Sequence, residues 1–178
     1  MAKACLTKIA GNFTQSCVMP SVGIKNIYLM NAGDVTPTTN IGATRVDAVN
    51  FADGAKSVLA EGYKQNIQMT ASLRSTDASA KLDVSVSFKV HHSTMQTYQD
   101  RNGIFVGRYY VLVEYVQPAA PSVFLGFTSP LEVTAFDLDS NSGGGLATIT
   151  LGAPEGSAGN YLMSVAEAAK STIISKSV

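Results

Sequence analysis

Between Gln65 and Val90 the chain alternates apolar and polar residues in two long runs. Ile67, Met69, Ala71 and Leu73 interleave with Asn66, Gln68, Thr70 and Ser72, while Leu82, Val84, Val86, Phe88 and Val90 interleave with Asp83, Ser85, Ser87 and Lys89. Successive side chains of a strand point to opposite faces. The pattern therefore predicts a long β-hairpin across the turn Ser75-Thr76-Asp77-Ala78-Ser79, with one apolar and one polar face. The polar face is built mostly from amides and hydroxyls.

Other segments read as shorter elements. Gly23 to Met30 is a first strand, closed by Asn31-Ala32-Gly33-Asp34, and Arg45 to Phe51 is a second, turned by Asp53-Gly54. Thr36 to Gly42 shows no period and reads as loop. Ser93-Thr94-Met95-Gln96 offers a helix-capping hydroxyl with Gln three residues on, and Asn102-Gly103 offers a stop, which predicts one short helix over 93–102. The aromatic and β-branched run Ile104 to Gln117 predicts a strand returning as Ser122 to Phe127. Leu131 to Phe136 and Leu146 to Leu151 form a further pair across residues 137–145. At the C-terminus Leu162, Val165, Ala166, Ala169 and Ile173 fit helical spacing, but Thr172-Ile173-Ile174 is strand-like, and the reading favours a strand at Tyr161 to Val165 and a tail. The organisation expected is an arm (1–19), one mainly β domain (20–165) and a tail (166–178).

Composition changes the picture in one respect. Only 15% of the 178 residues are charged, against about 25% in ordinary globular chains. The thirteen basic and thirteen acidic residues cancel, so a polybasic nucleic-acid binder and an acidic solvating tail are both excluded. Few ions also leave polar-neutral and apolar surface of the kind that another subunit covers. Cys5 and Cys17 are too few for a disulfide framework and read as reduced, packed thiols. The N-terminal residues lack the apolar core of a secretory signal and no apolar run reaches the ~20 residues of a membrane span. The expectation is a chain made in a cytoplasm, for which the sequon Asn12-Phe13-Thr14 is coincidental.

Candidate chemistry is sparse. Asp137, Asp139 and Asn141 stand at the first three ligand spacings of a calcium loop, but Ser142 occupies the glycine position and Thr148 the bidentate glutamate position. His91-His92 has no Cys, Asp or Glu at ligand spacing. Gly143-Gly144-Gly145 lacks the Lys-Ser/Thr of a phosphate loop, and there is no Gly-x-Ser-x-Gly elbow. No pair of carboxylates suggests acid and base roles. No catalytic residue, cofactor or metal is called for.

The order of long hairpin, short capped helix, second hairpin and closing strand pair resembles the tail-tube fold of tailed bacteriophages. Gly23-Ile24-Lys25-Asn26-Ile27-Tyr28-Leu29-Met30-Asn31 and Leu131-Glu132-Val133-Thr134-Ala135-Phe136-Asp137 also look like structural virion proteins of gut Bacteroidetes phages. The resemblance spans residues 20–165 as element order and carries no signature motif. It implies a β-sandwich or small barrel with a flanking helix, assembled into rings, commonly hexameric, in a virion tail or neck. Its partners would be further copies of itself, neighbouring portal, ring or tail proteins, and double-stranded DNA that passes without specific binding; no membrane is involved. It further implies that Asn66, Gln68, Thr70, Ser72, Asp83, Ser85 and Ser87 face the lumen. Ile67, Met69, Leu73, Val84, Val86 and Phe88 would belong to the hairpin that joins subunits. The lumen of such tubes is often acidic, whereas this face carries Asp83 against Arg74, Lys81 and Lys89. The alternative is a monomeric carbohydrate-binding or adhesin-like β-sandwich, with Tyr109, Tyr110 and Tyr115 as stacking platforms and the 137–145 loop as its site.

Overall fold

The computed structural model describes residues 23–40, 44–61, 66–76, 79–91, 103–117, 120–138, 146–157 and 160–178. In chain order the elements are β1 (Ile24–Asn31), β2 (Val35–Thr39), β3 (Arg45–Phe51), β4 (Ser57–Glu61), β5 (Ile67–Thr76), β6 (Ser79–His91), β7 (Tyr109–Tyr115), β8 (Val123–Leu125), β9 (Glu132–Leu138), β10 (Leu146–Gly152), β11 (Met163–Val165) and α1 (Glu167–Ser175). Two sheets result: a seven-stranded one in the order β2-β3-β11-β8-β7-β1-β4 and a four-stranded one in the order β5-β6-β10-β9. The protein is a β-sandwich with one short helix, and neither sheet closes into a barrel.

Three layers explain why the strands differ in sequence. Ile27, Leu29, Val111 and Val113 of the large sheet meet Ile67, Val84, Val86, Phe88, Ile149 and Leu151 of the small one in the inter-sheet core. On the other face of the large sheet Tyr28, Met30, Leu112, Phe124 and Met163 form a second core with Ala169 and Ile173 of α1. Strands β1 and β7 are thus buried on both faces, and their sequences run apolar without alternation. β6 and β10 are covered on one face only, and their buried side chains recur at every second position, Val84, Val86 and Phe88 in β6 and Ala147, Ile149 and Leu151 in β10.

Most sequence-predicted strands are present, and four segments differ. The stretch read as a loop from Thr36 contains edge strand β2, which pairs with β3 although Val35 is its one fully buried residue. Pro37 is tolerated there because an edge strand does not need every ladder donor. β4, which has no predicted counterpart, pairs with β1 from Asn26↔Glu61 to Met30↔Ser57. The strand expected from Ile104 starts only at Tyr109: the Tyr109 hydroxyl donates to the Ile104 carbonyl at 3.0 Å and folds the preceding residues back on themselves. Gly107 sits against that ring so closely that any side chain there would collide with it. Finally, the expected tail holds α1. Burial of Ala169 and Ile173 on the second core outweighs the weak helix preference of Thr172-Ile173-Ile174. The helix predicted over 93–102 lies outside the described residues.

Polar contacts fasten α1 and the C-terminus to the body. Glu114, 8% exposed, points to the α1 side of β7, accepts a hydrogen bond from Asn26 Nδ2 at 3.3 Å, and pairs with Lys170 Nζ at 3.3 Å and Lys25 Nζ at 3.6 Å. Fully buried Ser57 donates Oγ to the Ile173 carbonyl at 2.8 Å, and its backbone bonds Lys176 and Val178. The Ile173 carbonyl also accepts the Lys176 N–H at 3.3 Å, so Ser57→Ala removes one of its two hydrogen bonds and is expected to cost about 0.5–1.5 kcal/mol. Val58→Ala, at a half-exposed neighbour, should stay within about 0.5 kcal/mol of the parent. Chemical denaturation of the two variants checks the contrast.

Candidate functional site

The long hairpin forms as its alternation requires. β5 and β6 pair in unbroken antiparallel register from Ile67↔Phe88 to Thr76↔Ser79. Gln68↔Ser87, Thr70↔Ser85 and Ser72↔Asp83 are direct cross-strand pairs, so six of the seven residues assigned to the polar face share one side of the sheet. The seventh, Asn66, immediately precedes β5 and is partly buried. The hydroxyls of Thr70 and Ser85 lie 2.6 Å apart.

Two further strands extend this face. β10 adds Thr148 opposite Lys89 and Thr150 opposite Ser87, and β9 adds Asp137 opposite Thr148 and Ala135 opposite Thr150. A bulge in the β9–β10 pairing sets Thr134 over Gly152, where a Cβ would meet its Cγ2 at 3.0 Å. A shallow depression of about 180 Å³, lined by Thr70, Ser72, Asp83, Ser85 and Gly152 among others, lies on this surface. It falls below the ~300 Å³ at which small-molecule sites begin.

The apolar side divides into two parts. Ile67, Val84, Val86 and Phe88 are buried and Met69 packs against them, so these residues are committed to the protein's own core. Leu73, of the same alternating set, is 71% exposed. The reason is topological: β10 accompanies β6 only as far as Gly152↔Ser85. From Ala71↔Val84 to Thr76↔Ser79 the hairpin continues as a two-stranded ribbon, about 20 Å at the usual rise per residue.

Among the described residues β5 and β9 each have one strand neighbour, so both edges of this sheet lack a partner strand; beside β9 the opening begins beyond Leu131, which exchanges two backbone hydrogen bonds with Tyr109. Natural edges are commonly blunted by proline, lysine or very short length. β5 runs ten residues with no proline and with Arg74 as its one charge.

The other candidates fare as follows. Asp137 lies within β9, its Cα opposite that of Thr148, while Asp139, Asn141 and the three glycines lie outside the described residues. His91 ends β6 opposite Leu146, and His92, Cys5 and Cys17 lie outside the described residues. Among the described residues no three His, Cys, Asp or Glu side chains gather as metal ligands, and no helix is long and apolar enough to cross a membrane. Tyr109 and Tyr115 pack in the inter-sheet core and Tyr110 in the second core, 5.5 Å from the Phe124 ring. Burial pushes all three phenols above their ordinary pKa. Tyr109 is buried, and Tyr115 and Tyr110 are partly buried against cores on opposite faces of β7, so the three rings share no common face.

Sequence reasoning missed Ser57, Glu114 and Asn160. Asn160 is 1% exposed, takes the Ser129 N–H on Oδ1 at 3.2 Å, and donates its backbone N–H to Leu82 where β10 has left β6. Its Nδ2 is buried without a partner. No local pattern marks such a residue, because its role depends on two segments distant in sequence. Comparison with protein-family models, curated proteins and solved structures finds no match.

The two faces of the hairpin should respond differently to truncation. Phe88→Ala is expected to cost about 3–5 kcal/mol from the cavity it leaves. Ser87→Ala, one residue along and on the other face, should change stability by less than about 0.5 kcal/mol. Urea midpoints of both variants measure the difference.

Proposed function

We propose that the protein is a structural subunit of a bacteriophage virion. Copies would join edge to edge into a ring, and rings into a tube or neck segment, that conducts the phage genome from capsid to host. The observation that carries this reading is the four-stranded sheet, with two open edges and an outer face dominated by uncharged hydroxyl and amide groups.

Strand direction supports ring closure. The four strands alternate in direction, so β5 and β9 run opposite ways. Rotation about an axis along the strands brings β5 of one copy beside β9 of the next in antiparallel register. Each joint then has the geometry of the pairings within the sheet, and closure removes both edges. A heterologous contact repeated around a rotation axis gives a closed ring.

A face with a neutral polar majority suits a lumen. Each lysine or arginine that meets a phosphate releases counterions and gains affinity, so a strongly cationic wall retains DNA. Here Gln68, Thr70, Ser72, Ser85, Ser87, Thr148 and Thr150 make up most of the wall, Asp83 and Asp137 stand against Lys89, and Arg74 and Lys81 take the same alternating register towards the hairpin tip. Neighbouring portal, ring or tail proteins would contact the two rims.

Two measurements test the joint and the lumen. Along β5 successive backbone N–H groups point alternately to β6 and to the open side. Of Thr70→Pro and Ala71→Pro, one therefore removes a ladder donor and lowers monomer stability, while the other removes an outward donor. That second variant should keep its melting temperature and lose assembly in sedimentation velocity; assembly of both variants at parental level would sink the edge joint. In the second test, Ser85→Arg with Ser87→Arg should leave rings intact in negative-stain images and make them bind double-stranded DNA, with affinity falling steeply as salt rises. Rings that stay inert to DNA at low salt would place this face away from the lumen.

A further inference from the structure

We infer that the joint between copies has a second, side-chain half: the turn over residues 103–108 of one copy, through Phe105 and Val106, covers Leu73 on the hairpin of the next. The inference rests on the edge-joined reading above and names the surfaces that complete it.

Exposed apolar residues gather beside both open edges of the small sheet. On the β5 side Leu73 is 71% exposed. On the β9 side Val106 is 88%, Leu138 42% and Phe105 41% exposed. A lone exposed apolar side chain needs no explanation, but a pair of patches flanking two unpaired edges of one sheet marks an interaction surface.

The two patches also lie on the same side of the sheet. Phe105 packs edge-on against Phe136, with ring centroids 5.0 Å apart, and Phe136 stands opposite Ile149 on the core-facing side. Met69 and Leu73 stand opposite Val86 and Leu82, on that same core-facing side. When β5 of one copy continues the sheet beyond β9 of another, the turn that carries Phe105 and Val106 lies behind the added strand. Leu73 is the large apolar side chain of that strand that its own sandwich leaves exposed.

Height along the strands agrees. Phe136 is level with Ile149, Phe88 and Ile67 across the sheet, and Glu132 is level with Gly152, Ser85 and Thr70. The turn passes Phe136 at Phe105 and reaches the level of Glu132 at Arg108, whose Nε lies 4.0 Å from the Glu132 carboxylate. Val106 therefore stands between the levels of Ile67 and Thr70, beside Met69 of an unstaggered neighbour. An upward stagger of a few residues, which barrel closure requires, brings Leu73 to it.

The occupant is thus a second copy of this chain, since the same molecule supplies both halves, on matching sides and at matching heights. Aromatic and aliphatic anchors that fill a neighbour's uncovered apolar strip are the usual source of most interface affinity.

The test uses the full chain with Cys5 and Cys17 changed to Ser. Val106→Cys together with Leu73→Cys should give an oxidant-dependent ladder of covalent multimers, whereas an equimolar mixture of the two single variants should stop at dimers joined one thiol to the other. Separately, Val106→Glu should raise the concentration needed for assembly about tenfold or more with no change in monomer melting temperature. Combining Leu73→Lys with Val106→Glu should recover part of that loss. Rings in the images without a ladder, and with Val106→Glu assembling as the parent does, would overturn this inference and leave edge pairing standing. A parent that stays monomeric at every concentration would overturn both.

Discussion

A four-stranded antiparallel sheet leaves a row of unpaired backbone donors and acceptors along each edge, and in this protein one of those edges is ten residues long. Charge and proline are the usual means of keeping such an edge solitary, and β5 uses little of either. The rest of the structure follows from how that edge is held. The proximal half of the hairpin rests on the inter-sheet core through Ile67, Val86 and Phe88. The distal half has no third strand; Val84 and Leu82 still reach the inter-sheet core and Leu82 accepts the Asn160 N–H, but beyond them the hairpin continues as a two-stranded ribbon, which in isolation is marginal in water. A rigid base with an unsupported end presents an edge in a fixed place, which a partner can use without first ordering it.

The large sheet provides that rigidity. Its central strands are buried on both faces, between the small sheet and α1. Glu114 and Ser57 tie α1 and the C-terminal residues to the opposite side from the hairpin. The proposed functional surface and the fastened helix therefore belong to different layers, and the outer face of the small sheet does not touch the second core. That separation is the reason to expect that Ser85 and Ser87 accept bulky cations without loss of fold.

Much of this was legible from the chain, and the failures have physical causes. Period-two alternation located the hairpin and its two faces because one face is buried and the other is wet, the condition under which alternation carries information. The unbroken apolar runs of β1 and β7 held a further signal, burial on both sides, which turned out to need the third layer formed by α1. Short edge strands were illegible: β2 buries little beyond Val35, so its place depends on backbone pairing to β3 and leaves almost no trace in side-chain pattern. The helix was ambiguous because Thr172-Ile173-Ile174 favours strand locally, and the deciding term, burial of Ala169 and Ile173, is tertiary. Tyr109 misled twice, first as a strand residue continuous with Ile104 and then as a ligand platform, because its hydroxyl bond to Ile104 ties a turn that no local preference encodes. Leu73 fitted the alternation and is exposed all the same, since alternation predicts the side of a sheet and cannot predict where the neighbouring strand stops.

That last point links fold to assembly. An apolar residue on the core-facing side of a strand, standing beyond the core, is neither a surface residue by pattern nor a core residue by position. Within one chain it is a small cost. In the ring proposed above it meets the turn of Phe105 and Val106, which packs on the core-facing side at the opposite edge through Phe105, a contact that one copy cannot make with itself. There rotation would supply the other half, and the same operation would pair the two open strands. Backbone and side-chain requirements are then met by a single arrangement of copies, and the low charge of the chain ceases to be a solubility problem once the sheet's outer face lines an enclosed channel and its apolar edges are shared. A sequence that satisfied the backbone edges by self-pairing in a symmetric dimer would bring β5 to β5 and leave Val106 and Phe105 uncovered. The head-to-tail arrangement covers both, which is the physical reason to expect a ring rather than a pair.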